Sequence, residues 1–104
     1  DYLHVQDLAE GHVAALRYLG ANPGATTLNL GLGRGHSVLE VVAAFERACG
    51  RRITRTPAPR RAGDVASCRA DATRARALLQ WRATRGLDAI CADAWRWQSA
   101  GGKY

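Results

Sequence analysis

The sequence predicts an α/β fold class: a small mixed domain of about four helices and two or more short strands. Three observations predict it. Helical and strand periodicities alternate along the 104 residues. Only two short apolar runs read as strands, and two strands alone make a poor sheet. The hydrophobic fraction of 47% is ordinary for a globular chain, which allows a modest core. A piece of this kind would lean on a larger partner domain.

The first helix is expected from Asp7 to about Leu19. Asp7 is a capping residue type, and Leu8, His12, Ala15, Leu16 and Leu19 share one face. Asn22-Pro23-Gly24 ends it as a turn. Thr26 to Leu30 alternates like a short strand, and Gly31-Leu32-Gly33-Arg34-Gly35 follows as a loop. The second helix starts at a Ser-x-x-Glu capping box, Ser37 and Glu40. Val38, Val41, Val42, Phe45 and Cys49 form its apolar stripe, and Gly50 stops it. Arg51-Arg52 then sits by the negative end of the helix dipole.

Ile53 to Thr56 reads as a second short strand. Pro57 and Pro59 force an extended path beyond it. The third helix is expected from Asp71, its cap, through Leu78 and Leu79 to near Trp81. The last begins near Gly86, carries Leu87, Ile90, Cys91, Ala94 and Trp95 on one face, and frays at Gly101-Gly102.

The net charge is +6, almost all of it from arginine, since Lys103 is the only lysine. Arginine and alanine enrichment together is also what codon bias produces, so the charge favours acidic partners without assigning one. Cys49, Cys68 and Cys91 are widely spaced, odd in number and without a Cys-x-x-Cys, which argues for reduced thiols and a cytoplasmic setting. No apolar run approaches a membrane span. The chain opens at Asp1 mid-pattern and without a leader, as a fragment or processed product would.

The segment with the most chemistry is Pro59-Arg60-Arg61-Ala62-Gly63-Asp64-Val65-Ala66-Ser67-Cys68. An arginine fork matches a phosphate or carboxylate, and a nearby aspartate accepts hydrogen bonds from hydroxyls. Such a pair suits a diphosphate and the sugar beside it; the same five residues also suit a solvated loop. Gly31-x-Gly33-x-Gly35 follows a strand and precedes a helix, like a dinucleotide fingerprint. Its third glycine falls one position early, however, and no acidic residue follows at the ribose distance, so a plain turn is the better reading. His4, His12 and His36 lack metal-ligand spacing, and His12 reads as a half-buried histidine on an apolar face. Trp81 and Trp95 read as core and Trp97 as half-exposed. Arg74, Arg76, Arg82, Arg85 and Arg96 read as solvated, with no stripe to track a nucleic-acid backbone.

Four segments together carry a resemblance. They are Asp1 to His12, Asn29 to Val41, Pro59 to Val65, and Asp93-Ala94-Trp95-Arg96-Trp97-Gln98. In this order and spacing the chain resembles the C-terminal, substrate-binding portion of the UDP-galactose/UDP-glucose 4-epimerases, within the extended short-chain dehydrogenase/reductase superfamily. The first and third segments also occur in nucleotide-sugar dehydratases and decarboxylases, which remain an alternative. A second alternative is a small basic nucleic-acid-binding module using Arg51, Arg52, Arg60 and Arg61.

The resemblance implies a fold, an activity and roles. The fold would be the C-terminal part of an extended Rossmann-type protein, with residues 1–104 as its substrate-binding region. The activity would be NAD-dependent interconversion of UDP-galactose and UDP-glucose. Arg61 would contact the diphosphate, Asp64 the ribose hydroxyls, and Tyr2 the uridine end. Cys68 would lie against the hexose, where a small residue leaves room for an N-acetyl group and so for UDP-GlcNAc and UDP-GalNAc. The NAD motif, the catalytic Tyr-x-x-x-Lys and the subunit-pairing helices of the homodimer would all lie upstream. No catalytic, cofactor-binding or metal-ligating residue is therefore expected here, nor any membrane or nucleic-acid partner. Alone, the chain is expected neither to bind NAD tightly nor to turn over substrate.

Overall fold

The structure, a computed structural model, describes residues 1–102. Its regular elements are four helices: α1 (Val5–Ala21), α2 (Val38–Cys49), α3 (Thr73–Leu79) and α4 (Leu87–Ser99). They pack in two pairs, α1 with α3 and α2 with α4.

The second helix forms where the sequence places it. The Ser37 side chain accepts from the Glu40 amide while the Glu40 carboxylate accepts from the Ser37 amide at 2.7 Å. Gly50 closes the helix at φ 66°, a left-handed conformation that glycine adopts without a Cβ clash. α4 starts at the expected glycine, Gly86, which serves as its N-cap. α2 and α4 each bury one small residue completely or nearly so, Ala44 and Cys91.

α1 departs from expectation at its start. His4, not Asp7, is the N-cap, and its Nδ1 accepts from the Gln6 amide at 3.1 Å. That leaves Nε2 to donate to Asp93 of α4, also at 3.1 Å. Asp7 falls inside the first turn and is fully buried. His12 is exposed rather than half-buried, with Nδ1 bonded to the Leu8 carbonyl one turn back. In α3 the cap position is Ala72; Asp71 lies one residue earlier and accepts from the Thr73 amide at 2.9 Å. Trp81 lies beyond α3, buried, and its indole N–H donates to the Asp7 carbonyl at 3.0 Å. Gly11 makes room for it: a Cβ there would stand 2.7 Å from Leu30 Cδ1 and 3.3 Å from Trp81 Cε2.

The strands are the main correction. Among the described residues neither Thr26–Leu30 nor Ile53–Thr56 forms a strand. A strand is held by ladder bonds to a neighbour, and none is present among the described residues. The alternation itself survives: Leu28 and Leu30 are half-buried while Thr26, Thr27 and Asn29 are exposed. The Ile53 amide donates instead to the Glu46 carboxylate at 2.9 Å.

The radius of gyration is 16.6 Å, against about 13 Å for a compact domain of this length. The accessible surface is 8199 Å², where roughly 5,700 Å² suits a compact protein of this mass. Apolar side chains contribute to the excess: Val5, Leu16, Val38 and Leu39 are each more than 60% exposed. Among the described residues, no helix is long and apolar enough to cross a membrane.

Candidate functional site

The segment from Arg51 to Arg69 carries the candidate ligands, and every residue of it is exposed. Within it, Arg61 to Asp64 is a tight turn closed by the Asp64 amide and the Arg61 carbonyl at 3.3 Å. Gly63, at the third position of the turn, takes φ 86°, a positive value that glycine adopts without a Cβ clash. The turn brings the two predicted side chains together. Arg61 Nε and Nη2 face the two Asp64 oxygens at 3.3 and 3.4 Å. They meet one another in solvent, with side-chain exposures of 86% and 41%. A ligand phosphate and ribose would have to divide this pair, taking the guanidinium and the carboxylate separately.

Cys68 belongs to a different corner, beside Asp1. Tyr2 is exposed, and the terminal ammonium of its neighbour Asp1 donates to the Cys68 carbonyl at 2.8 Å. Cys68 lines a shallow hollow of about 380 Å³ with Asp1, Leu3, Asn29 and Leu30. Neither Arg61 nor Asp64 lines it. Arg61 and Asp64 are thus tied to one another, and the pair shares no hollow with Cys68.

The glycine loop does not fit a cofactor pyrophosphate. The Leu32 and Gly33 amides, which a phosphate would need, donate to the Asp1 carboxylate at 3.1 and 3.0 Å. Gly31 is needed for close approach, since a Cβ there would lie 2.6 Å from Ala70 Cβ. No NAD site is therefore built from these residues. Among the described residues no cluster of three or more His, Cys, Asp or Glu side chains could hold a metal ion. Two of the four arginines of the nucleic-acid alternative are engaged within the chain: Arg51 lies over the Trp95 ring, 6.0 Å from its centroid, and Arg61 is paired with Asp64.

Two acids escaped the sequence reading as organisers. Asp7 accepts from the Thr84 amide at 3.2 Å, the Arg85 amide at 2.9 Å, the Thr84 hydroxyl at 3.3 Å and the Arg85 guanidinium. Burial pushes its carboxyl pKa up, but the Arg85 amide and guanidinium and the Thr84 amide outweigh burial and hold it below the ordinary value. Arg85, read as solvated, is in fact shared between Glu10 and Asp7, which raise its pKa in that order. Asp1 holds three amides from distant segments. Neither acid has neighbours in sequence that reveal its partners; only the third dimension does. Cys91 is buried, and burial followed by the nearby Asp88 pushes its thiol pKa up, so it is an inert core thiol.

No protein-family model matches the chain. Curated relatives do. The UDP-glucose 4-epimerase of Yersinia pestis is 56% identical over 99 residues, which is 95% of this chain and 29% of that protein. The UDP-glucose 4-epimerase of Bacillus subtilis is 53% identical over 100 residues, 96% of this chain and 30% of that protein. That of Homo sapiens is 51% identical over 98 residues, 94% and 28%. The resemblance drawn from the four segments therefore extends over nearly the whole chain. The chain spans about 29% of the length of the curated relatives it matches.

Proposed function

We propose that this chain is the UDP-sugar-binding part of an NAD-dependent UDP-glucose 4-epimerase. The observation that carries this reading is identity of 50% or more, over at least 94% of the chain, to relatives of that name in bacteria, an insect and mammals. The exposed apolar surface supports it, because such area needs a larger body to cover it. In this reading the upstream domain supplies NAD and the acid/base tyrosine, and NAD supplies the hydride chemistry when bound. This chain binds and orients the nucleotide. Arg61 carries the diphosphate charge, Asp64 accepts from the ribose, Tyr2 flanks the uracil and Cys68 faces the hexose. The full protein works as a cytoplasmic homodimer on UDP-galactose and UDP-glucose. No observation favours the dehydratase or decarboxylase alternative, and the relatives' names favour epimerisation.

The direct test is interconversion of UDP-galactose and UDP-glucose by the full-length protein that carries this sequence. Its absence, with UDP binding also absent, overturns the reading. The 104-residue chain by itself is expected neither to retain NAD nor to epimerise. Specificity offers a sharper test. Cys68 is small and exposed, so UDP-GlcNAc and UDP-GalNAc are expected as substrates. Cys68→Tyr in the full-length protein should lower activity on the acetylated pair by about tenfold or more while sparing UDP-galactose, because added bulk rejects the larger sugar. Equal loss on both pairs would refute the placement of Cys68.

A further inference from the structure

We propose that Asp1 is a positioning residue: its carboxylate clips the chain so that Cys68 stands at a fixed distance from the sugar. This inference rests on the UDP-sugar reading above. Asp1 Oδ1 accepts from the Leu32 amide at 3.1 Å. Oδ2 accepts from the Gly33 amide and the Ala70 amide, both at 3.0 Å. One residue thus ties together the segment entering α1, the glycine loop before α2 and the segment before α3.

The position of the clip matters. Residues 51–69 are exposed throughout, so few contacts within the chain hold them. The bond from the Ala70 amide to Asp1 Oδ2 ties the end of that segment back to the body, two residues beyond the residue proposed to face the sugar. Selection by size needs a wall at a fixed place, because a wall that can retreat admits the larger sugar.

The chemistry of the clip admits little else. Three amide donors converge on two oxygens, and only a carboxylate meets them all without presenting a donor of its own. An asparagine would turn its NH₂ toward at least one amide whichever way it is flipped. The space is closed as well: a Cβ at Gly31 would lie 2.6 Å from Ala70 Cβ and 2.7 Å from Asp1 Oδ2.

The test is a double-mutant cycle in the full-length protein with NAD bound. The readout is the ratio of kcat/KM for UDP-GlcNAc to that for UDP-glucose, in the parent, Asp1→Asn, Cys68→Tyr and the double variant. Cys68→Tyr should depress the ratio. In the Asp1→Asn background the same substitution should depress it less, by about fivefold or more, because coupled neighbours depart from additivity. Asp1→Asn should also raise KM for both UDP-sugars more than it raises the Kd of UDP itself, because UDP is held at Arg61, Asp64 and Tyr2 and makes no use of the wall at Cys68. A merely structural role would lower the melting temperature and leave the cycle additive, and additivity overturns the proposal. If Asp1→Asn does not accumulate as folded protein, Gly31→Ala presses on the same clip from its other side and should relieve the Cys68→Tyr effect likewise. No effect of Cys68→Tyr on the ratio in any background also overturns it. If the parent protein does not epimerise at all, the UDP-sugar reading falls first and takes this inference with it.

Discussion

Two arginine–carboxylate pairs in this molecule use the same chemistry to opposite ends. In one, Arg85 meets Asp7, with side-chain exposures of 30% and 0%. In the other, Arg61 meets Asp64 at 86% and 41%. The first pair is surrounded: two amides and a hydroxyl complete the Asp7 carboxylate. The second has only itself and the turn that carries it. A buried charge must have its partners within the fold, and such a pair is costly to break. An exposed pair contributes little to stability and can exchange its partner for another ion without leaving anything buried and unpaired. The difference separates framework from candidate site within one short chain.

The largest expected effect breaks the framework pair. Asp7→Ala strands the Thr84 and Arg85 amides and the Arg85 guanidinium. It should cost about 3 kcal/mol, the low end for a broken buried pair, since Arg85 keeps some solvent contact. A urea titration reads it as a lowered midpoint. The same carboxyl sets an acid limb. Its pKa is lower in the fold than in the unfolded chain, so its stabilisation is complete above the ordinary carboxylate value of about 3.9. Stabilisation then falls as pH drops from that value through the lowered one, because protonation is easier in the unfolded chain. Glu40 and Asp71, also lowered, by the Ser37 and Thr73 groups respectively, act in the same direction from the surface. Asp7→Ala should flatten the acid limb as well as lower the plateau; an unchanged limb would remove Asp7 from its cause.

Next in size is the effect on the exposed pair, and it should appear in binding rather than stability. Arg61→Ala should weaken UDP binding by about tenfold or more, the cost of one charge-assisted phosphate contact. Its thermal midpoint should match the parent's, since the residue packs on nothing. Calorimetric titration of UDP against the full-length parent and variant checks the first part, and a melting curve the second. A destabilised Arg61→Ala protein with normal UDP affinity would reverse the contrast between the two pairs.

The contrast also explains what was legible in the sequence. α2 could be read residue by residue because its signals are local: Ser37 to Glu40 spans three positions, and Gly50 acts on its own φ. The Arg61–Asp64 turn is local too, and the two side chains do meet. Asp7 and Asp1 were not legible as organisers, because their partners lie 77 to 78 and 31 to 69 residues away. Asp7 looked like a cap because its residue type and place suit one, and His4 took the role instead. The strands failed for a related reason. Periodicity reports which side chains turn inward, and Leu28 and Leu30 do. It does not supply the neighbouring strand whose hydrogen bonds would make the segment a β-strand.

The smallest expected effect tests whether local legibility means local energetics. Ser37→Ala removes the side-chain acceptor for the Glu40 amide, a contact of 3.2 Å, and with it the hydroxyl's bond to the Glu40 carboxylate. The cost should be about 1 kcal/mol, the usual value for a lost N-cap. It should be confined to α2 and the α4 helix packed on it, because the capping box touches no residue of the Asp7 cluster. Hydrogen exchange resolved by segment can see this: faster exchange of amides in 38–49, with those around Asp7 and Trp81 unchanged. Uniform acceleration through α1 and α3 would mean that the two helix pairs unfold as one unit, and the separation of framework from cap drawn here would not hold.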